Sequence, residues 1–247
     1  MGNIYVTGAN GFIGTHLMKA LPEAIAVDPP KAYCCTSDDT VIHLANWVPD
    51  KFGTYLANVS SMGGILTKSA PGGKIIYVSS SVVYADKPSL YRASKLACEE
   101  LCKCYEDKLR ISIIRPYNVY GPGQPDRFVI PTIINQFLDG KDMIVVKNVM
   151  ASRVFTYVDD IIGALVNICA DGYTPCMDGY EANIGHLIAL IADIMDRTGQ
   201  YKICTEDTNG DVGPEKSGLN NNTTPLREGL EKTIEYYKQL RLEKQAV

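Results

Sequence analysis

The sequence has little that would mark a metal centre or a membrane protein. Among 247 residues there are three histidines and one tryptophan. No apolar run approaches the length of a membrane span. Eight cysteines are present, but Cys34, Cys35, Cys98, Cys102, Cys104, Cys169, Cys176 and Cys204 make no CxxC pair, so no metal site is expected. Charge of neither sign dominates: 24 Lys and Arg stand against 28 Asp and Glu, for a net charge of −4. With no basic run and no acidic tail, nucleic acid is not an expected partner. The chain enters a strand directly, with no leader-like stretch, so reduced thiols in a cytoplasmic compartment are expected. The sequon at Asn222-Thr223-Thr224 is then without meaning. No internal repeat and no low-complexity segment is apparent.

What is present is ordinary for a globular protein, 46% hydrophobic and 21% charged residues, at a length that suits one large or two small domains. The chain is organised around Gly2 to Gly14, GNIYVTGANGFIG. Ile4, Tyr5 and Val6 read as a buried strand. Thr7 to Gly11 is a tight turn, and Phe12, Ile13, His16, Leu17 and Leu21 are apolar at helical spacing. A strand passing through glycines into a helix gathers unpaired N–H groups and the positive end of a helix dipole, a site that attracts phosphate. The spacing is G-x-x-G-x-x-G rather than G-x-G-x-x-G. The roles still map: Gly8 allows the turn, Gly11 lets a pyrophosphate approach, and Gly14 lets helix and sheet pack closely. A glycine-rich turn without a ligand is the plain alternative.

Strand-like and helix-like segments alternate over the first two-thirds, the mark of a parallel sheet covered by helices. Strands are expected at 24–27, 40–44, 74–78, 109–114, 143–146, 153–156 and 182–184, and helices at 53–68, 89–107, 127–138, 159–170 and 187–198. A loop is expected at 117–126 and a polar loop at 217–224. Thr224 reads as the N-cap of a last helix with Pro225 at its first position, running to about Leu240. Asp28 closes the second strand, 20 residues past Gly8, where a carboxylate can accept from an adenosine 2′-hydroxyl and repel a 2′-phosphate. This favours NAD over NADP, although Lys31 lies nearby; the alternative is a turn residue before Pro29-Pro30.

Tyr91-Arg92-Ala93-Ser94-Lys95 places a phenol and an ammonium one helical turn apart. A free phenol, with a pKa near ~10, is a poor base at neutral pH. The ammonium and a positive nicotinamide would favour the phenolate, and the pair could then exchange a proton with a carbon-bound oxygen while hydride moves. Upstream, Ile76 to Ser81 is a strand ending in hydroxyls, and in a doubly wound sheet the carboxyl ends of the strands face the ligand. A surface Tyr and Lys and a solvated serine run are the plain readings of each motif alone; their order is what carries the signal.

Taken together, TGANGFIG, the Thr40 to Ala45 strand led by Asp39, Ile76 to Tyr84 (IYVSSSVVY), Arg115 to Gly123 (RPYNVYGPG) and Arg153 to Asp160 (RVFTYVDD) resemble the extended short-chain dehydrogenase/reductases, in the NAD-dependent nucleotide-sugar epimerase/dehydratase branch. The resemblance implies an α/β fold, a shortened doubly wound parallel Rossmann sheet with a small C-terminal substrate-binding lobe. It implies a cofactor domain over 1–116 plus about 156–180, and a substrate lobe over about 117–155 plus 181–247. Gly8, Gly11, Phe12 and Ile13 would line the pyrophosphate, with Asn10, Gly14, Leu44 and Ala45 among the cofactor-binding positions. Asp28 would hold the adenosine ribose. Tyr91 would be the acid/base, Lys95 would also bond the nicotinamide ribose, and Ser80 would be the second hydroxyl. Ser80, Ser81, Tyr91, Asn118 and Arg153 would contact the substrate, Arg153 through its diphosphate. Asp159 and Asp160 would cap the following helix.

The chain also departs from that pattern. Ten residues lie between Asp28 and Asp39, where the family fits a helix and a strand, leaving Cys35, Thr36 and Asp38 as candidate replacements for the adenine contacts. The stretch from Ser80 to Tyr91 is short, and Val154 stands where the family has Asp. Ser81 and Val82 occupy the places of a dehydratase's acidic pair, which argues against elimination. A C4 epimerase of a nucleotide sugar with retained NAD is the first reading. An NAD(P)H-dependent keto-sugar reductase and a dehydratase are the alternatives, and a dinucleotide-binding sensor or scaffold is the alternative outside the enzymes. The resemblance further implies a homodimer through helices near 53–68 and 89–107.

Overall fold

Short runs of β-branched and aromatic residues in the first part of the chain build one five-stranded sheet. The computed structural model describes residues 2–46, 51–170, 179–205 and 223–245. In chain order the first elements are β1 (Ile4–Thr7), α1 (Phe12–Ala20), β2 (Ile25–Val27), β3 (Thr40–His43), α2 (Phe52–Lys68), β4 (Lys74–Val78), α3 (Leu90–Lys103) and β5 (Arg110–Ile114). All five strands run parallel, in the order β2-β1-β3-β4-β5. β4 is buried along its whole length, as a central parallel strand must be when both faces are covered. The strand order turns back between β1 and β3, and in such sheets ligands bind at the carboxyl ends beside that switch point. The expected doubly wound α/β architecture is the one observed.

β2 and β3 lie on opposite sides of β1, so residues 28–39 must cross one face of the sheet. They do so with a single 3₁₀ turn, Pro29–Lys31. Ala32 and Cys34 of this link are fully buried with Met62, Ile65 and Leu66 of α2, so the link itself covers the sheet. Buried Asp39 holds its end: the carboxylate accepts from the backbone N–H of Asn3 at 2.8 Å and of Cys35 and Thr36 at 2.9 Å. Burial pushes the Asp39 carboxyl up, but these N–H groups outweigh it and hold it below its ordinary value. The stability it contributes is therefore present above the carboxylate range and lost as pH falls through the lowered native value. Asp39→Ala is expected to cost about 2–3 kcal/mol in urea unfolding at neutral pH. An unchanged midpoint would mean that water satisfies the three N–H groups.

The chain divides into two units, the first holding the residues up to Pro116 and those from Ile161, the second holding Tyr117–Asp160 and the described residues from 179 onward. The remaining elements are β6 (Asn118–Tyr120), α4 (Val129–Leu138), β7 (Met143–Val146), β8 (Ser152–Tyr157), α5 (Val158–Cys169), β9 (Tyr180–Asn183), α6 (Ile184–Ile194), β10 (Lys202–Thr205) and α7 (Leu226–Gln245). In the second unit β6 pairs parallel with β8, and β9 pairs antiparallel with β8. β7 and β10 form a separate parallel pair.

Several expectations are corrected here. The expected loop at 117–126 opens with β6, whose three residues carry too short a pattern to announce a strand. β10 was not expected, because exposed Lys202 and Ile203 show no buried alternation. α6 starts three residues before the expected Leu187 and ends at Ile194, since Asn183 caps it by accepting from His186 N at 2.7 Å. α7 starts at Leu226 and runs to Gln245, beyond the expected end near Leu240. Thr224 is not its N-cap: its hydroxyl and its N–H donate to the Asp160 carboxylate at 2.8 and 3.0 Å. Asp159 and Asp160 lie in the first turn of α5 rather than at its cap, where they still meet the positive end of the helix. Residues 217–222 of the expected polar loop, and Cys176, fall outside the described residues.

Candidate active site

The turn leaving β1 has the geometry its glycines require. Gly8 sits at φ +70°, and a Cβ there would stand 2.7 Å from Ala45 N. At Gly14 a Cβ would stand 2.1 Å from Gly8 O and 2.7 Å from Ala9 Cα, so α1 can approach the turn this closely only without a side chain. At Gly11 a Cβ would meet only Gly8 O, at 3.2 Å, which leaves its other sides open. Gly11 begins α1 with no side-chain cap, so the N–H groups of the first turn, those of Phe12 and Ile13 among them, are offered to an external acceptor. Asn10 is exposed beside them. Thr7 braces the turn from below: Ala45 N–H donates to Thr7 Oγ1 at 3.1 Å, and Leu44 N–H donates to Thr7 O at 3.2 Å. Asp28 is exposed at the end of β2 and makes no side-chain cap to the turn that follows. These groups could together hold a dinucleotide: N–H donors and an open glycine for a pyrophosphate, a carboxylate for a ribose. Of the candidate adenine contacts, Cys35, Thr36 and Asp38 are all exposed, and two of their N–H groups are taken by Asp39.

The second cluster joins the end of β4 to α3. Ser89 caps α3 by accepting from Arg92 N at 3.1 Å, which fixes where the helix starts and so which residues face the sheet. Tyr91 and Lys95 then stand on one face. Ser80 and Tyr91 share a side-chain hydrogen bond, and Ser80 Oγ also accepts from Val82 N at 3.2 Å. Lys95 is 3% exposed and donates to Val78 O at 2.8 Å. Its ammonium lies 4.9 Å from the Tyr77 ring centre and 5.8 Å from that of Tyr91. The structure thus brings Ser80, Tyr91 and Lys95 together. Ser81 turns inward: it is buried, and its N–H donates to Pro116 O at 2.9 Å.

The electrostatics depart from expectation in one respect. Burial pushes the Tyr91 phenol above its ordinary value, and the protein group that pulls it back is Ser80. The Lys95 ammonium lies over the ring, 5.8 Å from its centre, and within the protein alone burial outweighs what lowers the phenol. Burial pushes the Lys95 amine down to about 8 against the opposing pull of Cys98 and Glu99. Buried His43 is pushed down to about 3 by burial and by Lys95, so it stays neutral. It lies 2.7 Å from Thr7 Oγ1 through Nδ1 and stacks on Tyr77.

Supporting residues that sequence reasoning missed are Thr7, His43, Ser79 and Glu99. His43 lies in the Thr40 to Ala45 strand and Glu99 one turn past Lys95, which were the signals available. Two further candidates belong to the second unit. Exposed Asn118 donates through Nδ2 to Val154 O at 2.9 Å, tying β6 to β8. Half-buried Arg153 donates through Nη1 to Ser152 O at 2.8 Å. Among the described residues no helix is long and apolar enough to cross a membrane.

Comparison with known proteins places the chain. The family model described as the NAD dependent epimerase/dehydratase family matches residues 31–177. The chain is similar to the GDP-6-deoxy-D-mannose reductase of Pseudomonas aeruginosa, 29% identical over an alignment 242 residues long, with 77% of this chain and 79% of the relative covered. It is also similar to YtcB of Bacillus subtilis, named as an uncharacterized UDP-glucose epimerase, 27% identical over 311 residues and covering 96% and 98% of the two chains. That alignment is longer than this 247-residue chain, so the relative carries segments that this chain lacks. In fold it is similar to a UDP-N-acetylglucosamine 4-epimerase from Methanobrevibacter ruminantium, solved with UDP-N-acetylmuramic acid, with a TM-score of 0.81, 22% identity, and coverage of 97% of this chain and 99% of that one. With the motifs in order and more than half its length matched, this chain is an enzyme-family protein of the NAD-dependent epimerase/dehydratase group.

Proposed function

We propose that the protein is an NAD-dependent nucleotide-sugar epimerase that inverts C4 through transient oxidation to a 4-keto sugar. The observation that carries this reading is the set Ser80 at the end of β4 with Tyr91 and Lys95 on α3, Ser80 bonded to Tyr91 and the buried ammonium over the Tyr91 ring. Gly8, Asn10, Gly11, Phe12, Ile13 and Gly14 hold the pyrophosphate of the cofactor, with Leu44 and Ala45 beside the turn. Asp28 holds the adenosine ribose, and its charge disfavours a 2′-phosphate. NAD, when bound, supplies the acceptor and donor of hydride and a positive charge near the phenol. Tyr91 takes the proton from the C4 hydroxyl and later returns it, while Ser80 holds the same oxygen. Lys95 bonds the nicotinamide ribose, and its charge together with that of the bound nicotinamide offsets the effect of burial on the phenol. Asn118 and Arg153, in the second unit, with Ser81 at the strand end, bind the nucleotide-sugar, Arg153 through its forked guanidinium on the diphosphate. Serine and valine at positions 81 and 82 supply no acid or base for elimination, which weighs against a dehydratase.

A keto-sugar reductase is the second reading, favoured by the similarity to the Pseudomonas reductase. A panel of nucleotide sugars incubated with the protein and resolved by NMR separates the two. The epimerase reading expects a C4 epimer without added cofactor and an absorbance spectrum showing retained, reducible NAD. Turnover only with added NADPH would overturn it in favour of the reductase. Neither result would leave a binding protein without turnover.

The Lys95 amine gives the pH dependence. Turnover is expected to fall as pH rises through about 8, where the buried ammonium loses its proton. A rate flat up to the ordinary lysine value of 10.5 would show that its charge is not needed. The exposed Phe52 and Leu56 of α2 accord with a homodimer through α2 and α3, for which light scattering should give twice the chain mass.

A further inference from the structure

Three successive residues at the end of β4 are each tied to α3. Lys95 Nζ donates to Val78 O at 2.8 Å, Ser79 Oγ donates to Glu99 Oε1 at 2.5 Å, and Ser80 is bonded to Tyr91. Tyr91, Lys95 and Glu99 follow one another at four-residue spacing on one helix face. The proposed chemistry uses the outer two ties and leaves the middle one unexplained. Both its partners are 3% exposed. A carboxylate is costly to bury unless fully bonded, and Glu99 is: Arg115 Nε donates to Oε1 at 2.9 Å and Nη2 to Oε2 at 2.7 Å. Ser79 and Arg115 hold the Glu99 carboxyl below its ordinary value against burial, which pushes it up.

The other end of the guanidinium shows what the pair does. Arg115 Nη1 donates to the Tyr84 hydroxyl at 3.0 Å, and the guanidinium lies over the Tyr84 ring. Tyr84 closes the 3₁₀ turn that Ser81 opens. The segment from Ser79 to Tyr84 is therefore held at both ends by one ion pair, Glu99 at Ser79 and Arg115 at Tyr84, with Ser80 between them. We propose that Glu99 is a positioning residue: with Arg115 it sets Ser80 against Tyr91 and places a negative charge one helical turn from the Lys95 ammonium. This rests on the reading of Tyr91 and Lys95 as the acid/base pair. Lys95 is faced by His43 from β3, by Tyr77 from β4, and by Tyr91, Cys98 and Glu99 from its own helix. Of these, His43 is neutral, and Cys98 and then Glu99 oppose the effect of burial on the amine, Glu99 being the carboxylate.

The test uses the full chain with Glu99→Gln and Ser79→Ala, and two readouts that need no substrate. The Lys95 titration is followed by carbon-13 NMR of lysine-labelled protein, assigned by the signal lost in Lys95→Met. The Tyr91 titration is followed by ultraviolet difference spectra against Tyr91→Phe in each background. Glu99→Gln is expected to move the Lys95 titration below about 8. A shift of about one pH unit would mean a tenfold weaker hold on the proton. Ser79→Ala keeps the ion pair, so it remains folded if Glu99→Gln does not, and it is expected to raise the Tyr91 titration by loosening Ser80. If either folded variant titrates like the parent at its site, the proposal is overturned. A lower melting temperature with both titrations unmoved would likewise reduce Glu99 to a structural brace. If the titrations move as expected but Tyr91→Phe keeps its turnover, the acid/base reading has failed instead.

Discussion

Tyr91→Phe is expected to lower turnover by about 10²- to 10⁴-fold, the range that a positioned acid/base contributes. Cofactor binding, followed by retained NAD or by calorimetry with added NAD, should be unchanged. The substitution removes one oxygen and keeps the ring, so the packing of α3 against β4 and the cation–π contact from Lys95 survive. Ser80 loses its bond to Tyr91 but still accepts from Val82 N, which keeps its side chain in place. Lys95 keeps its bond to Val78 O. Because little else changes, the loss would report the phenol itself. Activity retained within a few-fold would show that another group moves the proton, and Ser80 would be the first to replace. Lys95→Met is less informative, since it would remove a charge, a backbone bond and a proposed ribose contact at once.

The sheet was legible because β4 is a run of β-branched and aromatic residues, and α3 begins on a capping serine with Tyr91 and Lys95 at helical spacing. The glycine turn was legible because only glycine fits where Gly8 and Gly14 stand, and that leaves a mark in any sequence. β6 and β10 were not, since strands of three or four half-exposed residues owe their state to a partner strand far away in the chain. Asp160 misled for a similar reason. An aspartate before an apolar run reads as a cap, but the groups it serves lie 64 residues downstream at Thr224. The burial of the Tyr91 phenol was not legible for a different reason. Spacing placed Lys95 beside it correctly, but spacing says nothing about burial, and burial is the larger influence on that hydroxyl. The Glu99–Arg115 pair was invisible because it joins a helix face to the residue after β5, and only the strand register reveals which serine meets the carboxylate.

Gly14→Ala is expected to reduce both stability and NAD affinity. The added carbon would lie 2.1 Å from Gly8 O and 2.7 Å from Ala9 Cα, and both are backbone atoms with no rotamer to change. Either α1 moves away from β1 or the turn from Gly8 to Gly11 opens. Overpacking of this kind costs about 1–3 kcal/mol. Either movement also shifts the first-turn N–H groups of α1, which the proposed pyrophosphate needs in place, so NAD affinity should fall by more than tenfold, about 1.4 kcal/mol or more. A comparison controls for the general effect of alanine in a helix. Gly163 lies exposed within α5, and a Cβ there would meet nothing within 4 Å. Gly163→Ala should stabilise the protein by about 0.5–1 kcal/mol, because alanine is the better helix former and loses less freedom on folding. Urea midpoints and NAD titrations on the two variants would therefore move in opposite directions for stability and differ sharply for the cofactor. If Gly14→Ala matched the parent in both, the close contact between α1 and the turn would not govern the cofactor site. The phosphate-binding reading of Gly8 to Gly14 would then lose its physical basis.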